Sequence, residues 1–184
     1  MVSAIILSIN TSSPDEAKLH NIVEVLHSAR VLDIAIVCGE NEQHAEHFKR
    51  FDGKVISVKD SLGEISSIIV GLDALEQGEL HGILIVPSNE HRLSQAIVVD
   101  LLHQFWISHK HIVIAAYDSG RGFPVILSDA LFSELRQQPS NTSLASFIND
   151  HSNDIKVVEF DKEGNMVKPK PAVVSPETSM DENI

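Results

Sequence analysis

Arg121 stands between Gly120 and Gly122. A guanidinium flanked by glycines is well suited to catching a phosphate or carboxylate, because it is always charged and donates along two edges. The competing reading is a solvent-facing turn residue. A second polar segment, Asn10-Thr11-Ser12, follows the first apolar run. It offers an amide and hydroxyls to an anion but no glycine, and backbone amides usually need glycine to close on a phosphate. Lys18 is the one nearby cation, whereas Asp15 and Glu16 lie in the first turn of the following helix and already answer its positive end. A third segment, Pro87-Ser88-Asn89-Glu90-His91, ends the fourth apolar run. Magnesium-assisted phosphoryl chemistry asks for a carboxylate at such a place, since Mg²⁺ prefers hard, charged oxygen. Asn89 supplies a neutral oxygen, and Glu90 is one residue displaced, a step that turns a side chain to the other side of an extended segment. Ser66 and Ser67 could contact a base or ribose, or could serve the backbone of their own helix. Among the ten histidines, His44 and His47 are one turn apart beside Glu46. That spacing can bind zinc, but no third ligand is framed nearby, and a solvated face is the simpler reading. His109 and His111 flank the entry to the fifth strand and are similarly open.

The elements that position these groups are marked by periodicity. Apolar runs of strand length recur at Ala4 to Ile9, Ile34 to Cys38, Lys54 to Val58, Ile83 to Val86 and Ile112 to Tyr117. Being continuous rather than alternating, they suit a parallel sheet covered on both faces. Between them lie helical patterns. Ser13-Pro14-Asp15-Glu16 and Ser61-Leu62-Gly63-Glu64 both read as capping boxes, followed by Leu19, Ile22, Val23 and Leu26 in one case and Ile65, Ile68, Ile69 and Leu72 in the other. Ser94 opens a third helix with Ile97, Val98, Leu101, Leu102 and Phe105 on one face, and a weaker helix spans about Asn41 to Phe48. After the fifth strand, Asp118 to Gly122 reads as a turn, Phe123 to Leu127 as a strand, and short helices are expected from Ser128 and about Thr142. Ile155 to Phe160 is expected to be a late edge strand, with a turn at Asp161 to Asn165. The expected fold is a three-layer α/β/α domain of Rossmann-like, doubly wound type. Its sheet is mostly parallel, with a late antiparallel edge strand. It covers residues 1–178, and residues 179–184 are expected to form a disordered tail. In such a sheet, ligands bind outside the carboxyl ends of the strands, where the loops named above fall.

Composition excludes several classes. Against 26 Asp and Glu there are 14 Lys and Arg, a formal net charge of −12, with no basic patch to neutralise a phosphate backbone, so nucleic acid is not an expected partner. No apolar stretch approaches the ~18 residues of a membrane span, and Met1 to Leu7 reads as a strand rather than a leader, so a cytoplasmic location is expected. Cys38 is the only cysteine, which excludes an internal disulfide or a multi-cysteine zinc cage, and its place in an apolar strand suits a buried, inert thiol.

The segment from Tyr117 through Gly120-Arg121-Gly122-Phe123-Pro124-Val125-Ile126-Leu127 to Phe132 resembles the Tyr-x-Gly-x-x-Gly-His-Pro-Val-Leu-Phe segment of the MobA-like nucleotidyltransferases. Gly63-Glu64-Ile65-Ser66-Ser67, with Gly71 beyond, is similar to that family's Gly-Met-Ser-x-Ser segment. The likeness runs from Ala4 to about Thr178 and is nearest to the molybdenum cofactor cytidylyltransferase (MocA-like) branch. It implies a fold for transferring a nucleotidyl group from CTP or GTP to molybdopterin with Mg²⁺. The family's phosphate loop, Leu-Ala-Ala-Gly-x-Ser-x-Arg-Met-Gly-x-x-Lys, meets Leu7 to Lys18 with Asn10 at the Gly and the Arg falling near Pro14. Its Gly-Asp-Gln-Pro becomes Ser88-Asn89-Glu90-His91, its late Asp-x-Asp-Thr-Pro becomes Ala172-Val173-Val174-Ser175-Pro176, and its Gly-Asp-x-Gly-Ala-Arg becomes Ser140 to Ala145. Phe123 stands where the family has His.

These departures remove the phosphate loop and both metal carboxylates together, while scaffold positions persist. Positioning and charge stabilisation are what nucleotidyl transfer asks of a protein. The favoured expectation is therefore a MobA-like protein without catalytic activity. It would bind a nucleotide or molybdopterin-like ligand, or a protein partner in molybdoenzyme maturation, through Asn10, Thr11, Ser12, Lys18, Ser66, Ser67, Asn89, Arg121 and Gly122, with no cofactor assigned. The alternative is a divergent active nucleotidyltransferase using Mg²⁺ with CTP or GTP, the metal held by Glu90, Asp118 or another carboxylate, and acting on molybdopterin or another small phosphorylated or sugar-like acceptor.

Overall fold

The computed structural model describes residues 1–9, 16–40, 53–59, 62–75 and 79–167. Within β1 (Val2–Ser8), Ala4 and Ile6 join one apolar cluster while Ile5 and Leu7 join another, so successive side chains feed two cores on opposite faces of one sheet. The strands β2 (Ile34–Gly39), β3 (Lys54–Val58), β4 (Gly82–Pro87), β5 (Ile112–Tyr117), β6 (Gly120–Ser128) and β7 (Ile155–Glu159) complete a seven-stranded sheet in the order β3-β2-β1-β4-β6-β5-β7. Every residue of β2 is buried, as an unbroken apolar run requires when both faces are covered.

On one face lie α1 (Glu16–Ser28) and α3 (Gln95–Ser108), which bury Leu19, Ile22, Val23 and Leu26, and Ile97, Val98, Leu101 and Phe105. On the other lie α2 (Glu64–Leu75), α4 (Phe132–Arg136) and α5 (Leu144–Asp150). Ser94 caps α3 as expected, its Oγ accepting from Ile97 N at 3.3 Å. His109 ends that helix in the left-handed region, φ 55°, a capping position. The capping box at Ser13, the helix from Asn41 to Phe48 with His44 and His47, and the segment from Lys168 onward lie outside the described residues, as does Ser61.

The sheet is mostly parallel, but the antiparallel strand is not the late edge strand. β7 pairs in parallel with β5 at the edge, whereas β6 runs antiparallel inside the sheet, between β4 and β5. The cause is local: only Asp118 and Ser119 separate Tyr117 from its partner Gly120, and a two-residue link permits only antiparallel pairing. Gly120 takes φ 109°, which a side chain would strain, and the strand begins there rather than at Phe123. Ile114 faces Val125 while Ala115 faces Gly122, so Phe123 and Pro124 form a bulge. Pro124 lacks an N–H to give to a ladder, which suits it to that place. Among the described residues, no helix is long and apolar enough to cross a membrane.

Candidate functional site

Two hollows open where the parallel strands end. The larger, about 540 Å³, lies beyond β4 and β5 and is lined by Arg92, Ser94, Tyr117, Asp118 and Lys162 among others. Tyr117 is its fixed point. Its hydroxyl donates to Phe123 O at 3.2 Å, and the Arg92 guanidinium sits 4.8 Å from its ring centre while Nη1 donates to Ser119 Oγ at 3.4 Å. Burial, reinforced by the Glu90 charge and opposed by Arg92, pushes the phenol up to about 12. The carboxylates around this hollow are already engaged. Glu90 Oε1 accepts from Arg92 N at 2.9 Å, Asp118 lies 3.9 Å from Lys162 Nζ, and Asp161 Oδ1 accepts from the amides of Glu163 and Asn165 at 2.9 and 2.8 Å. Glu163 Oε2 accepts from Asn165 Nδ2 at 3.4 Å. Bonds to those amides and to the Asn165 side chain hold the Asp161 carboxyl below its ordinary range.

The smaller hollow, about 210 Å³, is on the other face, between the bulged start of β6 and helix α5. Ile114, Phe123, Leu144 and Ile148 give it apolar walls, and Arg121 and Glu64 stand at its polar edge. The capping box expected between Ser61 and Glu64 involves Ser61, which lies outside the described residues; Glu64 Oε2 accepts from Leu144 N at 2.8 Å, so it caps the first turn of α5. At the other end of α5, His151 Nδ1 donates to Phe147 O at 2.8 Å and Nε2 lies 3.2 Å from Glu134 Oε2. Burial pulls the imidazole pKa down, but the bonds to Phe147 O and Glu134, with the charges of Glu134 and Asp150, raise it net.

Of the residues singled out from sequence, Asn10, Thr11 and Ser12 lie outside the described residues. Lys18 is exposed near the start of α1, and Asn89 is exposed in the turn after β4. Ser66 is half-buried, while Ser67 is fully buried and donates to Gly63 O at 3.1 Å, the helix-serving role weighed for it. Arg121 and Gly122 meet at the smaller hollow. Sequence reasoning did not single out Arg92, Tyr117, Glu64 or Leu144 as site residues. Arg92 carried no spacing signal, Tyr117 entered only as the first residue of the family-like segment, and the Glu64 to Leu144 contact joins distant segments. Cys38 is buried, and burial raises its thiol pKa. At the end of β4 the donors are the neutral amide of Asn89, a poorer partner for Mg²⁺ than a carboxylate, and Glu90, whose Oε1 accepts from Arg92 N; no group of three His, Cys, Asp or Glu gathers among the described residues.

The family model for the MobA-like NTP transferase domain matches residues 15–155. No curated protein matches the sequence. Among solved structures, Rv0371c from Mycobacterium tuberculosis H37Rv superposes with a TM-score of 0.75 at 16% identity, over 87% of this chain and 88% of that one, and its complex with manganese with a TM-score of 0.71 at 16% identity over the same shares. The 4-diphosphocytidyl-2C-methyl-D-erythritol synthase of Anaerococcus prevotii DSM 20548 gives 0.66 at 14% identity, over 91% of this chain and 90% of that one. At these identities the likeness is one of fold.

Proposed function

Because the chain belongs to the MobA-like NTP transferase domain family, we propose that it is a nucleotidyltransferase-like binding module that has set aside the family's metal-assisted transfer. One observation carries this reading: at the end of β4 the side chain is the exposed amide of Asn89, while around the adjacent hollow Glu90, Asp161 and Glu163 each accept a hydrogen bond and Asp118 lies within ion-pair distance of Lys162. A triphosphate entering there would bring charge that the described strand ends cannot gather a dication to offset, in a chain of net charge −12. The pattern from Tyr117 to Phe132 supports the molybdenum cofactor branch. In that reading the module is cytoplasmic, and its occupant is a nucleotide or molybdopterin-like ligand or a protein of molybdoenzyme maturation.

Calorimetric titration with CTP and with GTP, each with and without Mg²⁺, tests the reading, followed by an assay for pyrophosphate release with molybdopterin present. The expected result is no magnesium-dependent binding and no release. Magnesium-dependent binding at micromolar strength accompanied by turnover would replace this reading with that of a divergent, active transferase, which the manganese complex of Rv0371c makes worth testing with Mn²⁺ as well.

A further inference from the structure

We propose that the smaller hollow, between the β6 bulge and α5, binds a small aromatic monoanion, its ring against Phe123, Leu144 and Ile148 and its acid group on Arg121. The proposal rests on the binding-module reading above and names the ligand class for that module. Three observations carry it. The bulge at Phe123 and Pro124 interrupts the pairing of β5 with β6 and leaves Ile114, Phe123 and Val125 lining an open space of about 210 Å³. That is enough for one or two fused rings, since an apolar cavity of about 150 Å³ holds benzene, but too small for a nucleoside triphosphate. Arg121 is exposed at its edge, and its side chain makes no hydrogen bond or ion pair with another described residue. A guanidinium so placed can make two parallel bonds to an acid group. Glu64, the carboxylate at the same edge, is held by Leu144 N and keeps its charge, which disfavours an acid group beside it and leaves the Arg121 end as the place for one.

The wall that would hold the ring is pinned at both ends. Glu64 holds the first turn of α5, and His151, with Glu134, holds its last. A preformed apolar slot with one cation selects for charge number as well as shape, because a second negative charge would find no partner there.

The probes are naphthoate and its neutral near-isostere naphthamide, titrated into the full chain and followed by amide correlation spectra. Naphthoate is expected to shift the amides of Gly122, Phe123 and Leu144 to Asn149. Arg121→Gln is expected to weaken naphthoate about tenfold, the loss of a charge-assisted pair, and to leave naphthamide within about twofold. Arg121 is exposed, so this variant leaves the fold intact. Ile148→Asn is expected to weaken both. Equal affinities of wild type and Arg121→Gln for naphthoate, no binding at about millimolar probe, or shifts confined to α3 around the exposed Trp106 would each overturn the proposal. The pyrophosphate assay tests the binding-module reading separately: a silent assay with failed naphthoate binding removes only the ligand class, and turnover removes the reading itself.

Discussion

Leu144 donates its amide proton to Glu64 Oε2 at 2.8 Å, across 80 residues of sequence. This bond fastens the first turn of α5 to the first turn of α2 and sets the polar end of the smaller hollow. Glu64→Ala leaves a partly buried helix-terminal amide without its acceptor. A loss of about 1–2 kcal/mol is expected in urea unfolding, with faster amide exchange at Leu144 and unchanged exchange in β1. Unchanged exchange at Leu144 would show that the bond does not hold the helix.

Gly63 sits at the same junction. A Cβ there would collide with the backbone carbonyl oxygen of Ser140, an atom that cannot swing aside as a side-chain tip could. Gly63→Ala is therefore expected to destabilise by about 1–3 kcal/mol, the more so because glycine is also favoured over alanine at the position just before a helix. The loss should be largely non-additive with Glu64→Ala, since both act on one contact between α2 and the segment entering α5. Strict additivity in the double variant would refute a shared junction.

His151 makes stability depend on pH with a definite sign. Its folded pKa is raised, so its stabilising contribution is complete below the unfolded value of about 6.5 and fades as pH rises through the folded value. Urea midpoints of wild type should exceed those of His151→Gln by a margin that is full below about pH 6.5 and shrinks as pH rises above it. A margin constant with pH, or one growing with it, would contradict the two-acceptor arrangement.

Tyr117 is the only tyrosine, so alkaline ultraviolet titration reads it alone. While the circular dichroism stays native, the curve should point to a midpoint of about 12. Glu90→Gln should lower that midpoint and Arg92→Gln should raise it, following the signs of the two charges. Because the fold raises this pKa, its share of stability is present below the unfolded value of about 10 and is lost as pH climbs past it. Shifts in the opposite directions would mean that Arg92 does not lie over the ring.

Much of the fold was legible because it is written locally. The strand runs, the face of α3 and the Ser94 cap each follow from residues within a few positions of one another. Of the candidate site, Asn89 and Arg121 drew attention from their place in the sequence, whereas Arg92 over Tyr117 spans two loops and has no spacing to betray it.

By itself the sequence determined the layers of this protein and the family it belongs to, since residue type and short-range period decide those. Tertiary structure alone decided that β6 lies inside the sheet, that Glu64 caps α5, and that Arg121 meets Phe123 and Ile148 around one hollow. The reason is physical. Strand order and contacts between distant segments depend on how two faces of one sheet are covered at once, a condition on the whole chain that no short window of residues contains.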